Sequence, residues 1–495
     1  MIAAAGGVRS VVVVGRDAAA WLSALTLQRA FGRTGLKVGV VAMPSLLDAS
    51  DVYAALPSLA GLHALLGLND AEVLGATSGV PVLGQRFADW NPGYPSFLHA
   101  YDMLRVGIDD VDFVHFWVKA RAEGLKVAFE DFSLGAVAAK QGRTVIDRNG
   151  FVGETPIEAG YDLDAVGYVA LIRQRAIQAG VSVVEESVIG IDRHGDRIAA
   201  VITSGDQRLE ADLFIDASGA EAVLSHGQPG VFDSWRDLFG VDRLLSASTK
   251  ALRPLPAFSQ IAAFEAGWTG LYPLKDRTAV VAAWDSRQMS DEDLIARLPG
   301  ETGLALQGDC QIRTFEPGMR PAWSGNCVAI GEAAVALEPL DAAELQLVHL
   351  GLSHLVALFP VSAETMPEAQ AYNAGLAAFV FNVRDFQLAH YRLNGRVGEG
   401  FWDRARSAPV PAGLEARIRL FAARGKIAQF DEESFQPQSW TASFLGHGLI
   451  PSSYDPRVDR ISPEDQMARF RSLLGKVAED VRSMPSVESQ FGAGA

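Results

Sequence analysis

The sequence predicts an α/β protein with a Rossmann-like parallel sheet, a β-rich insertion and a helical C-terminal lobe. A β-branched run at residues 11–14 ends on Gly15, a helical stretch follows, and residues 37–41 form a second apolar run. This β-α-β order is how nucleotide-binding parallel sheets usually begin. Strand-rich sequence over much of residues 181–312 predicts the insertion, and mainly helical sequence after Pro367 predicts the lobe.

The composition is typical of a globular enzyme, with 49% hydrophobic and 21% charged residues among 495. A chain of this length predicts about two to four lobes, or one large domain with insertions. The formal net charge of −16 argues against nucleic acid or an anionic membrane as the main partner, because both require a basic face.

Cysteine content and apolar runs indicate where the protein is expected to reside. The two cysteines, Cys310 and Cys327, are not spaced as metal ligands, so we expect neither a metal site nor a disulfide framework. So few cysteines favour a reducing compartment. The run at residues 11–14 is too short for a signal peptide, and no run approaches the roughly 18 apolar residues of a membrane span. We expect a cytoplasmic protein.

Two later strands also end on glycine, at residues 216–219 (DASG) and 329–331 (AIG). Together with the first strand, in this order and spacing, they resemble the FAD-binding fold of the aromatic hydroxylases. In that fold the first turn holds the pyrophosphate, and the third strand brings a helix N-terminus to the flavin. The sequence is therefore identified with an FAD-binding fold of the aromatic hydroxylase type.

A closer resemblance covers residues 8–471. Glu338-Pro339-Leu340-Asp341 is similar to the segment that runs through EPLES in the flavin-dependent tryptophan halogenases. The same family resemblance is carried by Phe87, Trp90, His99, the segment 266–273 (AGWTGLYP), and the later segments 384–391, 401–402, 439–440 and 454–456. The resemblance implies an FAD-type domain over residues 8–360 with an intertwined substrate-side sheet, a helical lobe over 361–480, and a flexible tail over 481–495.

If FAD is retained, the resemblance assigns cofactor binding to eight positions. These are Gly15, Arg16, Asp17, Ala19, Ala20, Trp21, Gly331 and Pro339. The family turn reads G-x-G-x-x-G, and here Asp17 and Ala20 replace the second and third glycines. A carboxylate at the second position opposes a pyrophosphate by about 4 kcal/mol at ~4 Å and an effective dielectric of ~20. Ala42 stands where such sites usually carry a ribose-binding acid.

Asp17 also has an explanation that needs no ligand. Aspartate is a preferred N-cap, so its carboxylate is expected to accept hydrogen bonds from the first-turn amides of the helix. On this interpretation Asp17 occupies the place of the phosphate. Arg16 would offset part of the repulsion if it turned inward.

The catalytic positions also depart from the family. The resemblance places the halogen-transferring lysine at Val82, and Arg86 is expected to be a surface or structural residue rather than its replacement. Asp341 stands at the family glutamate and is a weak catalytic candidate. We expect Asp341 to cap a long apolar helix, with Glu344, at the halide-binding position, in its first turn. The catalytic residues are otherwise unknown.

The segment 266–273 lacks a second family tryptophan. Gly270 stands in its place, and Tyr272 replaces the following isoleucine. In the family these side chains separate flavin from substrate, so we expect an opened wall that would permit monooxygenation if flavin were bound. The isolated histidines His99, His349 and His390 are expected to be packed or surface residues rather than catalytic bases.

Two hypotheses follow. The first is a diverged member that is not a competent halogenase, with or without bound FAD, acting as a binding or partner protein. Its partners would be a small aromatic ligand or an intact flavoenzyme in a heteromer. The alternative is an FAD-dependent monooxygenase or halogenase, supplied by a separate flavin reductase and acting on an aromatic or indole-like substrate.

Overall fold

The computed structural model describes residues 7–102, 107, 110–144, 151–152, 155–226, 232–430 and 432–492. Its strands are β1 (Ser10–Gly15), β2 (Lys37–Ala42), β3 (Val52–Ala55), β4 (Val80–Val82), β5 (Gly84–Ala88), β6 (Phe97–Ala100), β7 (Phe151–Val152), β8 (Thr155–Pro156), β9 (Gly160–Asp164), β10 (Ser182–Val184), β11 (Val188–His194), β12 (Arg197–Thr203), β13 (Arg208–Glu210), β14 (Leu213–Ala217), β15 (Asp233–Ser234), β16 (Arg243–Lys250), β17 (Ser259–Phe264), β18 (Gly267–Pro273), β19 (Arg277–Trp284), β20 (Leu306–Thr314), β21 (Gly318–Met319), β22 (Trp323–Ser324), β23 (Cys327–Ala329) and β24 (Val335–Ala336).

The α-helices are α1 (Asp17–Phe31), α2 (Leu59–Leu66), α3 (Asp70–Ala76), α4 (Phe113–Ala122), α5 (Leu134–Lys140), α6 (Ala165–Gln178), α7 (Arg236–Phe239), α8 (Asp291–Thr302), α9 (Ala343–Ala357), α10 (Glu368–Arg392), α11 (Gly400–Ser407), α12 (Ala412–Arg424), α13 (Pro437–Gly446), α14 (Pro463–Ser483) and α15 (Val487–Phe491). Short 3-10 helices lie at Gly32–Thr34, Phe129–Phe132, Gly219–Glu221, Gly331–Ala333 and Pro456–Arg460. In the part of the chain that the structure describes, no helix is long and apolar enough to cross a membrane.

The chain divides into two compact units, each assembled from three separate segments. The nucleotide-fold unit comprises Met1–Ser78, Leu163–Arg236 and Glu316–Phe381, and the mixed-sheet unit comprises Gly79–Asp162, Asp237–Phe315 and Asn382–Ala495. This division differs from the expected boundary at residue 360. The reason is that each sheet draws strands from distant parts of the sequence, so the chain passes repeatedly between the units.

The nucleotide-fold unit is built on a six-stranded sheet of order β10-β2-β1-β14-β23-β22. The first five strands pair in parallel and β22 adds an antiparallel edge. Parallel sheets are covered on both faces, which explains the continuous apolar run of β1. The smaller antiparallel sheet β11-β12-β13 belongs to the same unit. The predicted Rossmann-like sheet is confirmed.

Gly15 is required by the sheet itself. A Cβ added at Gly15 would lie 2.2 Å from the carbonyl oxygen of Ala217, its partner on β14. Real Cβ atoms do not approach backbone oxygen so closely, so β1 and β14 can end side by side only with glycine here. This glycine is therefore explained without any ligand.

The mixed-sheet unit contains a seven-stranded sheet of order β20-β16-β19-β18-β17-β5-β6. All its pairs are antiparallel except β17 with β5. Helices α11–α14 lie in the same unit, which confirms the β-rich and helical parts of the predicted fold class.

The end of the chain differs from the expected flexible tail. Met484 and Val487 are 3% and 0% exposed, and they join a buried cluster with Leu134 and Ala138 of α5. The tail expectation was wrong as far as Phe491, because two apolar side chains among small polar ones suffice to anchor the segment. Residues 493–495 lie outside the described residues.

Candidate functional site

The turn after β1 holds Asp17 in a left-handed conformation, with φ of 56°. Such a backbone favours glycine, and aspartate is one of the few other residues that adopt it. The sequence therefore replaces the glycine of a dinucleotide-binding turn while the backbone keeps the shape that glycine would give.

The Asp17 carboxylate contacts the loop after β2. It accepts a hydrogen bond from the Ser45 hydroxyl at 2.5 Å and a longer one from the Leu46 amide at 3.4 Å. The expected N-cap role was wrong: Arg16 is the N-cap of α1 and no side chain caps this end. The left-handed backbone directs the carboxylate away from the first-turn amides. Burial raises the pKa of Asp17, although both hydrogen bonds and the Arg16 charge lower it.

Arg16 points toward the other side of the turn. Its guanidinium pairs with the Glu221 carboxylate at 3.1 Å, just after β14, and the Arg16 side chain is 8% exposed. Arg16 and Asp17 thus link the turn to the segments that follow β14 and β2. These two links span the carboxyl edge of the sheet, where parallel α/β folds bind their ligands.

Tyr53 of β3 lies near the amino end of α1. It is 5% exposed, and the Ala18 backbone is close enough to influence its hydroxyl. Burial raises the pKa of Tyr53 well above its usual value, and the charges of Glu344, Asp17 and Glu332 raise it further. The amino end of α1 therefore faces a phenol and carboxylates. These residues do not fit a pyrophosphate, which needs free amides and no like charge.

A cavity of about 460 Å³ lies beside this turn. It is bounded by Asp17 and Trp21 of α1, by Ala42 at the end of β2, and by Arg173 of α6. Its position matches the place where a nucleotide fold holds the ribose and base. Ala42 contributes no carboxylate to it.

The remaining cofactor positions also lie in the nucleotide-fold unit. Ala20 is fully buried, and Gly331 has φ of 66°. A Cβ at Gly331 would lie 3.1 Å from the Cβ of Ala19, so the segment after β23 packs closely on α1. The structure thus places Gly15, Arg16, Asp17, Ala19, Ala20, Trp21, Gly331 and Pro339 in one unit.

The start of α9 differs from the expectation. Asp341 and Ala342 both have left-handed backbones, with φ of 57° and 54°, and the helix begins at Ala343. Its N-cap is Ala342, and no side chain caps it, so the cap role expected of Asp341 was wrong. Two successive left-handed residues move Asp341 off the helix end, and its side chain is buried. Glu344 lies in the first turn, as predicted.

Val82 is fully buried at the end of β4, where it pairs with Gly160 of β9. A valine there offers neither an amine nor a proton donor. Arg86 is exposed on β5, its guanidinium donates to the Ser96 hydroxyl at 2.8 Å, and it lies 6.0 Å from the Phe258 ring centroid. Arg86 is therefore a surface residue, as expected.

Sequence reasoning missed a buried carboxyl on the strand next to β4. Asp162 of β9 is fully buried and lies opposite Val80 of β4 in the sheet. Its carboxyl accepts a hydrogen bond from the Ser259 hydroxyl at 2.8 Å. Burial raises the pKa of Asp162 well above its usual value. The signal was an aspartate at the centre of the short strand GYDLD, between Tyr161 and Leu163.

The expected opening at Gly270 is wrong. Gly270 and Tyr272 lie two residues apart on β18, and a Cβ at Gly270 would lie 2.6 Å from the Tyr272 ring. Side chains two apart share one face of a strand, so the tyrosine ring fills the space beside the glycine. Trp268 is retained on the same strand, and its indole N–H donates to the Tyr391 hydroxyl at 3.1 Å.

His390 is packed, as expected, and its partner is a second histidine that the sequence did not single out. His390 Nδ1 and His447 Nε2 are 2.8 Å apart, and Phe87 stacks on His390 with ring centroids 4.3 Å apart. Burial lowers the pKa of His447 well below its usual value, and His390 lowers it further. His99 is also buried, at 3% exposure.

The parallel sheet and the turn after β1 define a protein with a flavoenzyme-type fold. The tryptophan halogenase family model matches residues 10–463. The chain belongs to the tryptophan halogenase family.

Its relatives match it along nearly their whole length. Tryptophan 6-halogenase of Streptomyces toxytricini is 25% identical, over 98% of both chains. A flavin-dependent halogenase from a Brevundimonas species has a TM-score of 0.92 at 30% identity, covering 98% of this chain and 99% of its own. One from Xanthomonas campestris has a TM-score of 0.93 at 26% identity, covering 99% of both. These findings support the flavin-dependent alternative more than the partner hypothesis, which they do not test.

Proposed function

We propose that this chain is a family member that does not halogenate by the lysine-dependent route and that acts by binding a small aromatic ligand. A role as the partner of an intact flavoenzyme belongs to the same proposal. The observation that carries it is the burial of Val82, which the resemblance places at the family lysine position.

The chemistry at this position supports the proposal. In the family the lysine amine either carries the halogen or donates a hydrogen bond to the hypohalous acid. Val82 can do neither, and it is packed at the end of β4. The guanidinium of Arg86 is directed to Ser96 at the surface. Without an amine at this position, the lysine-dependent route would have no group to position the reactive halogen species beside a substrate.

The contacts around Asp17 support the same proposal. The turn that would hold a pyrophosphate is linked by side chains to both neighbouring segments, and the charges of Asp17, Glu332 and Glu344 act on Tyr53 beside it. A flavin dinucleotide would have to displace these contacts. The proposed binding role therefore does not require FAD.

A second candidate is an FAD-dependent monooxygenase or halogenase acting on an aromatic substrate. The comparisons favour it, since 30% identity to a flavin-dependent halogenase extends over nearly the whole chain. The cavity of about 460 Å³ beside the turn favours it as well. This candidate requires that Asp17 and Arg16 change their contacts when the cofactor binds.

The experiment supplies the purified protein with a flavin reductase, NADH, FAD, bromide or chloride, and indole or tryptophan. A tryptophan halogenase serves as the positive control. We expect neither halogenated nor oxygenated products by mass spectrometry, and no flavin absorption band in the purified protein. A halogenated product would overturn the first proposal, and a hydroxylated one would establish the monooxygenase candidate instead.

A further inference from the structure

We propose that the cavity beside Asp17 binds a phosphate-free ligand with a flat aromatic body and hydroxyl groups, of the nucleoside class, and that Asp17 excludes its phosphorylated forms. This inference rests on the proposed function in one respect, since a bound FAD would fill the same cavity. It adds a ligand class and a selectivity that the family assignment does not supply.

The size and lining of the cavity suit such a ligand. A volume of about 460 Å³ lies within the range of small-molecule sites, which is roughly 300–1,000 Å³. The lining combines an apolar wall with three hydroxyl groups. The apolar wall includes Trp21, Met43 and Val169, and the hydroxyls belong to Ser45, Ser187 and Ser204.

The charges of the lining oppose phosphate. The cavity is bounded by one cation, Arg173, and by three carboxylates, those of Asp17, Glu185 and Glu186. Arg173 already pairs with Glu185, and its guanidinium lies 5.5 Å from the Trp21 ring centroid. The one cation is therefore neutralised within the lining, and the excess charge is negative.

Asp17 lies in the turn before α1, where a nucleotide fold holds its first phosphate, and it bounds the cavity. Its carboxylate is held by Ser45 and Leu46, so it is fixed rather than free to swing away. Tyr53 of β3 lies close to the Ala18 backbone, on the side where a phosphate would approach. A neutral nucleoside meets none of these conflicts, because its sugar hydroxyls can donate to carboxylates.

The test uses adenosine, AMP and ADP, which share base and sugar and differ only in phosphate. Their affinities are measured by isothermal titration calorimetry on the full-length protein at pH 7.5. We expect adenosine to bind most tightly, with each added phosphate weakening binding by about fivefold or more. Val169→Trp, which fills the cavity, should abolish adenosine binding while leaving the circular dichroism spectrum unchanged.

Asp17→Asn removes the charge but keeps the size, and asparagine tolerates the left-handed backbone. We expect it to increase the affinity for ADP by about tenfold or more and to change the affinity for adenosine little. The matched control is Asp110→Asn, at an exposed left-handed aspartate outside the cavity lining, which should change neither affinity.

Three outcomes would overturn the inference. They are no binding of adenosine to the wild-type protein, equal or tighter binding of ADP, and equal behaviour of the Asp17 and Asp110 variants. A halogenated product in the activity assay would refute the proposed function, whereas the order of nucleoside affinities is measured without any turnover. The two failures are therefore distinguishable.

Discussion

Asp102 is predicted to make the protein less stable as the pH rises, and Asp102→Asn should remove this dependence. The Asp102 carboxyl accepts hydrogen bonds from the Ser133 hydroxyl at 2.9 Å and from the Gly135 amide at 2.7 Å, at the start of α5. Burial raises its pKa from 3.8 to about 7, and the Glu158 charge also raises it, while both hydrogen bonds lower it. The folded protein therefore binds a proton there that the unfolded chain releases.

The sign and size follow from this difference. A group with a raised pKa contributes its full stability below pH 3.8, and that stability is lost as the pH rises through about 7. At about 1.4 kcal/mol for each pH unit, the difference amounts to about 4 kcal/mol. Since the side chain is partly exposed, screening by solvent reduces this, and we expect about 2 kcal/mol.

Urea unfolding of wild type and Asp102→Asn between pH 5 and 8 measures the effect. The asparagine amide oxygen can still accept a hydrogen bond from the Gly135 N–H. The stability of the variant relative to wild type should therefore increase by about 1 kcal/mol between pH 5 and pH 8, because the rest of the loss occurs below pH 5. Glu123→Gln, at an exposed carboxylate, is the matched control and should leave the pH dependence unchanged. Parallel pH profiles for wild type and Asp102→Asn would refute the reasoning.

Three further predictions concern packing and titration. Gly15→Ala should destabilise the protein by about 3 kcal/mol in thermal or urea unfolding, because its Cβ would meet the Ala217 carbonyl; an unchanged midpoint contradicts this. Gly270→Trp alone should lower the free energy of unfolding by about 3 kcal/mol, and much less when combined with Tyr272→Ile. Additive effects in the double variant would contradict the inference that the Tyr272 ring fills the space beside Gly270. The pKa of His447 is lowered in the folded protein, so the free energy of unfolding should decrease as the pH falls below about 6.5. His447→Gln should reduce this decrease, which pH-dependent urea unfolding measures.

Much of the fold could be read from the sequence because its signals are local. The glycine-ended strand predicted at residues 216–219 is β14 (Leu213–Ala217), and the long apolar helix predicted after Asp341 is α9 (Ala343–Ala357). A short apolar run that ends on glycine predicts a strand from the local sequence alone, without knowledge of which strands will pair with it. The division into units was not readable, because it depends on which distant strands pair.

For the site, the sequence predicted which residues differ from the family but not which contacts they make. The sequence identified Asp17, Val82 and Gly270 as departures from the family, because residue identity alone shows what chemistry is missing. It did not show where their side chains or neighbours point. Asp17 was expected to cap α1, and its left-handed backbone directs it to Ser45 instead.

The sequence by itself determined the family and the fold class, and it predicts the loss of an amine at Val82, because these depend on the order and chemistry of residues. Only the tertiary structure decided what replaced the missing groups. The Tyr272 ring covers Gly270, and Glu221 on a distant segment holds Arg16. Such contacts join residues that are close in space, and their direction is set by backbone angles and packing that no local pattern encodes.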